Sequence, residues 1–418
     1  MEKLQNLYLI TDGFPFGKGE KPFILPELPY LLKEYKVTII SPAPVEVAQD
    51  TRYVTKLDER IQLVHIPPPI LKLSNSTINY FVQNPIFKEE ANFIVGEGQL
   101  VQERINDALS ALINAEIFFQ QVFNSHAVNF NEPCLIYTFW NHFRTLAFCL
   151  HKNEYPNMKI VTRAHRYDLY NESQFHSRQP FKSFMNKLVD GIFFVAEKGL
   201  DYYSKTFTRN LQLEKLHYSP LGISQTETIP LQNRLNRFHL VSCSNVIPLK
   251  RVELIAKALA VCDTHCKIHW THFGDGESMP EVKRLAENLL KPRGNITYWF
   301  KGHCSNEEVI RYYSFMHCSC FITTSSSEGS PVSIQEALSF GIPIIGTNVG
   351  GINEEIDGNG ILLSANPSAE EVANAIMRIY GMSDKQVKKY RKRSRKIWEE
   401  KYNIEKNARR FLDILRTI

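Results

Sequence analysis

Short apolar, β-branched and aromatic runs alternate with stretches of helical periodicity along almost the whole chain. That alternation is the mark of parallel sheets joined by crossover helices. In the first half, Asn6–Thr11, Val37–Ser41, Leu63–Ile66, Cys134–Phe139, Lys159–Ala164, Gly191–Ala196 and Leu216–Leu221 are the predicted strands. Residues 76–130 are aromatic and helical in spacing, and predict helices that elaborate this first domain. From 222 to 236 (GISQTETIPLQNRLN) the chain turns polar and loses its period, which predicts a domain boundary.

The pattern then restarts. Phe238–Ser244, Lys267–Gly274, Ile296–Phe300, Cys318–Thr324 and Ile342–Thr347 are predicted strands, and Lys250–Val261 and Pro280–Leu290 predicted helices. Charged helices close the chain from Glu370 to Ile418. The length, 418 residues, exceeds what one ordinary core fills. The expected fold class is therefore α/β with two Rossmann-like domains, 1–222 and 237–400, and a C-terminal helix, 401–418, packing back on the first. In such sheets ligands bind outside the carboxyl ends of the strands, so the residues just after each strand carry the interest.

An apolar share of 43% and a charged share of 22% suit a soluble globular protein. No apolar run approaches the roughly 18 residues that a membrane helix needs. The start, MEKLQNLYLITDGF, has a short apolar segment and no small-residue cleavage site, so it reads as a first strand. The expected location is the cytoplasm or the cytoplasmic face of a membrane. Eight cysteines in this length suggest buried thiols, not a disulfide framework. His317, Cys318 and Cys320, or Cys262, His265 and Cys266, lack the paired spacing of a zinc site.

Charge changes the picture at one place. Residues 385–396 (KQVKKYRKRSRK) hold eight Lys or Arg and no acid; removing those eight charges from the net +5 leaves −3 for the rest. Val387, Tyr390, Ser394, Ile397 and Trp398 recur at helical spacing, which predicts an amphipathic helix with a basic outer face. A solvated face is the plain reading, and peripheral contact with anionic lipid headgroups the functional one. No nucleic-acid module surrounds the patch.

The segment richest in chemistry is Ser325–Gly351, SSSEGSPVSIQEALSFGIPIIGTNVGG. It follows a buried strand. Ser330 is a good N-cap and Pro331 suits the first helical position, so a helix is predicted from there to Phe340. Glu328 precedes that helix and Glu336 lies inside it. Two carboxylates thus border a helix N-terminus whose free N–H groups favour an anion. A diphosphate flanked by a sugar and a ribose would use all three features.

In this context, EGSPVSIQEALSFGIPIIGTNVGGINEEI resembles the Glu-x7-Glu signature of the family 4 retaining glycosyltransferases. The resemblance implies the GT-B fold, two Rossmann-like domains facing across a donor-binding cleft. It implies that Glu336 binds the donor ribose and that Glu328 sits near the donor sugar. The N–H groups of Ser330 and Val332 and the turn at Gly329 would meet the diphosphate. In Ser242–Arg251 (SCSNVIPLKR), Pro248 and Lys250 match the family's Gly-Arg-x-x-Pro-x-Lys pattern, with Lys250 on the diphosphate. Ser244 and Asn245 stand where the glycine and the arginine would be, and Arg251 is the candidate replacement. Gly274, in Gly274–Glu277 (GDGE), resembles a turn beside the nucleotide base.

In the first domain His165, in VTRAHRYDLY, resembles the family's donor-side histidine, with Arg166 and Asp168 beside it. Trp140, Asn141 and His142, after another strand, are candidates for the acceptor side. Asp12–Glu20 (DGFPFGKGE) is neither a P-loop nor a dinucleotide fingerprint. There Gly13, Gly17 and Gly19 permit close backbone approach, Gly13 toward the donor and Gly17 toward the acceptor.

No Asp-x-Asp occurs in the chain, so positive side chains and a helix N-terminus are expected to replace a divalent ion. The expected substrate is a UDP-sugar or GDP-sugar, with no cofactor and no metal, and no nucleic acid as partner. The acceptor is a glycan or a lipid-linked saccharide, and bacterial surface-polysaccharide or lipopolysaccharide assembly is the setting the resemblance implies. It also implies retention, with the acceptor hydroxyl attacking on the face that the diphosphate leaves. An epimerase or phosphorylase on the same scaffold, and a non-catalytic nucleotide-sugar-binding subunit, remain as alternatives.

Overall fold

The computed structural model describes residues 5–16, 19–49, 54–68, 74–174, 176–224 and 237–418. Gly17 and the stretch 225–236 of the expected boundary lie outside them. The chain divides into two compact units, residues 1–219 with Ala408–Ile418, and Pro220–Asn407.

The first unit has a seven-stranded parallel sheet: β1 (Gln5–Ile10), β2 (Tyr35–Pro42), β3 (Gln62–Ile66), β4 (Cys134–Thr138), β5 (Met158–Ala164), β6 (Gly191–Phe194) and β7 (Leu216–Tyr218). Their order is β3-β2-β1-β4-β5-β6-β7. The central strand β4, CLIYT, is buried along its whole length, as a strand covered by helices on both faces must be. Residues 76–130 form three helices, Asn75–Gln83, Pro85–Glu97 and Val101–Asn124. In the third, Ala108, Leu112, Ala115, Phe119 and Val122 repeat at helical spacing and are buried. Phe118 and Phe119 meet Phe148 edge-on at 6.3 and 6.0 Å between ring centroids. Each such buried ring contributes roughly 1.5–3 kcal/mol. Phe411, from the C-terminal segment, packs on Tyr137 and Phe193, with the fully buried Arg163 over its ring. Arg163 is neutralised by Glu27 at 2.9 Å.

The second unit has six parallel strands: β8 (Phe238–Cys243), β9 (Ile268–Phe273), β10 (Ile296–Phe300), β11 (Cys320–Thr323), β12 (Ile344–Thr347) and β13 (Gly360–Leu363), in the order β10-β9-β8-β11-β12-β13. Strand β13 is absent from the sequence-based expectations. It is four residues long, follows a Gly/Asn turn, and has only one buried side chain, so it leaves little periodic signal. Both units share the order 3-2-1-4-5-6, whose topological switch point lies between the first and fourth strands. Chemistry is therefore sought beyond β1 and β4 in one unit, and beyond β8 and β11 in the other.

The basic helix is Asp384–Ile397. Its apolar stripe is buried as expected, with Ser394, Ile397 and Trp398 almost inaccessible. Its basic residues split into two kinds, which corrects the picture of one uniform basic face. Arg391 donates to the Cys318 and Phe340 carbonyls, Arg393 to Asp357, and Arg395 to Glu399 and the Ser339 carbonyl. Lys385, Lys388, Lys389, Lys392 and Lys396 face solvent. The planar guanidinium forks take the inward carbonyls and the flexible ammoniums are left outside. All eight cysteines are free thiols.

Candidate active site

In the second unit two loops meet beyond β8 and β11. Thr324 Oγ1 donates to the carbonyls of Lys250 and Arg251 at 3.2 and 2.9 Å, and the Ser326 N–H to Leu249 O at 2.8 Å. Across this seam Lys250 Nζ donates to Glu328 Oε1 at 2.5 Å, and Ser325 Oγ to the same oxygen at 2.6 Å. The Lys250 and Glu328 side chains are 19% and 10% exposed, so the pair is mostly dry but still reachable. The Val-Gly-Gly turn props the loop from behind. Gly350 has φ +51°, and a Cβ on it would lie 1.7 Å from Glu328 O. Only glycine fits there. The Gly351 N–H then donates to Gly329 O at 2.7 Å.

Glu336 lies in the helix Val332–Ser339 and is buried. Burial pushes its carboxyl up to about 8. Asn306 Nδ2 donates to its Oε1. The sequence reading missed Asn306, although it opens the helix Asn306–Phe315 that follows the loop after β10. At β9 the expected turn is present: Gly274, φ +134°, lies so close to Ser244 that a Cβ would sit 1.8 Å from its carbonyl oxygen. Asn245 is exposed next to it.

Two expectations in this unit are corrected. Ser330 does not cap the helix. Pro331 holds the N-cap position, no side chain caps, and Ser330 Oγ instead donates to Glu355 Oε1 at 3.1 Å while accepting from Gln335 Nε2 at 2.9 Å. The Val332 and Ser333 N–H groups have no backbone acceptor among the described residues. Arg251 does not replace the missing arginine as a free cation. Its guanidinium donates to the carbonyls of Thr324, Ser325 and Ala365 and to Asn366 Oδ1, clamping the end of β11 to the segment after β13.

In the first unit a second cluster lies beyond β1 and β4. The Glu20 carboxylate accepts the N–H groups of Asp12, Gly13 and Phe14 at 3.0, 2.6 and 2.7 Å, and Trp140 Nε1–H at 2.6 Å. Successive backbone N–H groups around one carboxylate make a nest. Among the glycines of this loop, Gly13 thus gives its N–H to Glu20. Asp12 accepts from His142 Nε2 at 3.0 Å and from Arg144. Burial opposes its ionisation, but His142 and Arg144 outweigh it and hold the carboxyl below its ordinary value.

His165 is buried with its ring 4.6 Å from that of Trp140, and its Nε2 lies 3.1 Å from Phe139 O. The carbonyl accepts, so Nε2 carries the hydrogen and Nδ1 keeps a lone pair. Burial, aided by Arg163, holds the imidazole down at about 3, which keeps it neutral. Asn141 and Asp168 do not line an accessible surface, contrary to expectation. Both are fully buried, and Asp168 accepts the N–H groups of Asn141 and His165. Lys182, also buried, donates to the carbonyls of Asn141 and Asp168. This knot fixes the turns after β4 and β5. Burial pushes Asp168 up to about 6 and Lys182 down to about 8. Arg166 is half-buried beside it. Among the described residues no cluster of three or more His, Cys, Asp or Glu could hold a metal ion, and no helix is long and apolar enough to cross a membrane.

The chain is similar to known sugar transferases. Residues 225–397 match the family of glycosyl transferases group 1. The GtfA subunit of the UDP-N-acetylglucosamine–peptide N-acetylglucosaminyltransferase of Streptococcus parasanguinis is 23% identical over 206 residues, 49% of this chain and 38% of that protein. The O-antigen biosynthesis glycosyltransferase WbnH of Escherichia coli is 28% identical over 151 residues, 34% of this chain and 40% of that protein. The matches span well under half the length of these relatives. The crystal structure of Anabaena HepE in complex with UDP superposes with a TM-score of 0.66 at 15% identity, over 99% of this chain and 100% of that one. The chain therefore has the GT-B fold, and its residues 225–397 are similar to the group 1 glycosyl transferases.

Proposed function

We propose that the protein transfers a sugar from a nucleoside-diphosphate donor, with retention at the anomeric carbon and without a metal, to a glycan or lipid-linked saccharide. One observation carries the reading: Lys250, Glu328, Glu336 and an uncapped helix N-terminus converge at the switch point of the second sheet. Glu336 takes the ribose hydroxyls. The N–H groups at Ser330, Val332 and Ser333 take the diphosphate, and Lys250 offsets the charge that grows on it as the bond to the sugar breaks. Glu328 holds Lys250 and accepts a sugar hydroxyl on its second oxygen. In the first unit His165, neutral and with Nδ1 as acceptor, is our candidate to accept a substrate hydroxyl. The acceptor hydroxyl attacks the anomeric carbon on the face that the diphosphate leaves, and its proton passes to the departing phosphate oxygen. No protein nucleophile is required in this scheme.

Uridine is the base we favour, because UDP is bound in a solved structure of the same fold and named in a relative's donor. Assembly of a surface polysaccharide is the favoured setting, supported by the O-antigen relative. The solvent-facing lysines of 385–396 are proposed to rest on an anionic membrane surface, where a lipid-linked acceptor would be found. The test is release of nucleoside diphosphate from UDP-sugars and GDP-sugars in EDTA, with a panel of lipid-linked and free glycans. Acceptor-dependent release with an α-linked product from an α-linked donor is expected. Donor binding without transfer to any acceptor would point to a non-catalytic subunit.

A further inference from the structure

Ser330 and Pro331 form a strong helix-start signal, yet the structure does not use it. Ser330 Oγ has two neighbours, Glu355 Oε1 at 3.1 Å and Gln335 Nε2 at 2.9 Å, and the helix Val332–Ser339 starts without a side-chain cap. Both neighbours are themselves inaccessible. Among the described residues Glu355 Oε2 and Gln335 Oε1 have no hydrogen-bond partner. Leaving buried polar atoms unpaired and a helix uncapped both cost stability. Glu355 plays no part in the chemistry described above. Local rules broken together, at a site of function, point to a purpose other than stability.

We infer that Glu355 is a positioning residue which holds the Ser330 hydroxyl away from the helix N-terminus, so that the N–H groups there stay open for the donor's diphosphate. Freed from Glu355, Ser330 would become the N-cap once Pro331 turns into the first helical position, which its φ of -73° allows; its oxygen would then take the N–H of Ser333, and the diphosphate would have to displace it. Gln335 locks the arrangement, since its amide hydrogen occupies a Ser330 lone pair. Burial pushes the Glu355 carboxyl well above its ordinary value, which weakens any repulsion against a diphosphate. This inference rests on the proposed function for its ligand, but the competition for Ser330 stands without it.

The test is a two-residue cycle of Glu355→Met, Ser330→Ala and the double variant, with Glu355→Gln as control, read by amide hydrogen exchange at Ser333 without ligand and by calorimetric titration with UDP. Glu355→Gln keeps an acceptor for Ser330 and should bind UDP like the wild type. Glu355→Met frees Ser330 to cap, and should weaken UDP about fivefold, the factor that a cap of ordinary strength corresponds to. The double variant has no hydroxyl to cap with and should recover the wild-type affinity. Without ligand, the Ser333 amide should exchange its hydrogen more slowly in Glu355→Met than in the wild type, and Ser330→Ala should remove that protection in the Glu355→Met background while leaving the exchange unchanged in the wild-type background. Equal effects of Ser330→Ala in the two backgrounds, or a double variant as weak as Glu355→Met, would overturn the inference. A wild type that binds no diphosphate while the variants show the exchange pattern would sink the proposed function, and the competition for Ser330 would stand.

Discussion

Lys250 Nζ and Glu328 Oε1 are 2.5 Å apart, so the cation beside the helix N-terminus is held by a carboxylate from the neighbouring loop. Lys250 stands at the end of the turn after β8 and Glu328 in the loop after β11, the two strands that flank the switch point. The pair thus fixes a positive group where the proposed diphosphate would lie, with its charge balanced by Glu328.

Lys250→Ala should lower turnover by about 10²- to 10³-fold, the range seen when one preorganised charge-stabilising donor is removed. The assay is release of nucleoside diphosphate at saturating donor. A change of less than threefold would take Lys250 out of the mechanism.

Glu336 predicts a distinct pH dependence of stability. Its folded value, about 8, lies above the ordinary 4.5, so the folded state holds the proton more tightly. The stability this confers is complete below about pH 4.5 and is lost as pH rises through about 8. Glu336→Gln keeps an oxygen for Asn306 Nδ2 and never ionises. It should match the wild type near pH 5 and exceed it by on the order of a few kcal/mol at pH 9. Denaturant unfolding at the two pH values measures this, and a constant difference would contradict it. The same variant should weaken UDP binding through loss of the ribose contact.

The nest around Glu20 should accept a substitute. Glu20→Ala leaves the N–H groups of Asp12, Gly13 and Phe14 and the Trp140 indole without their acceptor. Turnover should fall, and formate or acetate at tens of millimolar should restore part of it while chloride should not. Equal responses to all three salts would count against the nest as an organiser of the site.

Gly350→Ala should be strongly destabilising, because its φ of +51° and the 1.7 Å approach to Glu328 O both reject a Cβ. Strain of this kind costs at least about 1–3 kcal/mol. A melting point within about 1 °C of the wild type would show that the turn rearranges freely.

Neutralising Lys388, Lys389 and Lys392 with Gln should abolish flotation with liposomes rich in anionic lipid, and leave activity on a soluble acceptor unchanged. These lysines face solvent, so the fold should tolerate the change. Arg391→Gln should instead lower the melting point, since that guanidinium holds the Cys318 and Phe340 carbonyls. Wild-type protein that ignores such liposomes would remove the membrane proposal.

Much of the fold was legible because buried parallel strands leave continuous apolar runs, as in CLIYT and CFIT. Strand β13 was not, being short and largely open on its faces. Within the proposed site, Glu328, Glu336 and Lys250 were singled out from their setting after strands, and the structure brings Glu328 and Lys250 into contact. Glu20, Asn306 and Glu355 were not, because each acts through a contact distant in sequence: Trp140 is 120 residues from Glu20, and Glu336 is 30 from Asn306. Asn141 and Asp168 were placed on the wrong side of the surface for a related reason. A polar residue after a strand can point outward to a ligand or inward to neighbouring backbone, and only the buried Lys182 decides between the two. Ser330 shows the limit most clearly, since its local preference is overruled by Glu355, 25 residues away.

The most direct test of the account is thermal unfolding of the wild type and of Glu336→Ala with UDP, GDP, ADP and CMP, each with Mg²⁺ and with EDTA. A ligand at 100 times its Kd stabilises by about 2.7 kcal/mol, which moves a melting point by several degrees. The account predicts a shift with UDP that EDTA does not change and that Glu336→Ala largely removes. No shift with any nucleotide, or one that Glu336→Ala leaves intact, would contradict the donor site at Lys250, Glu328 and Glu336.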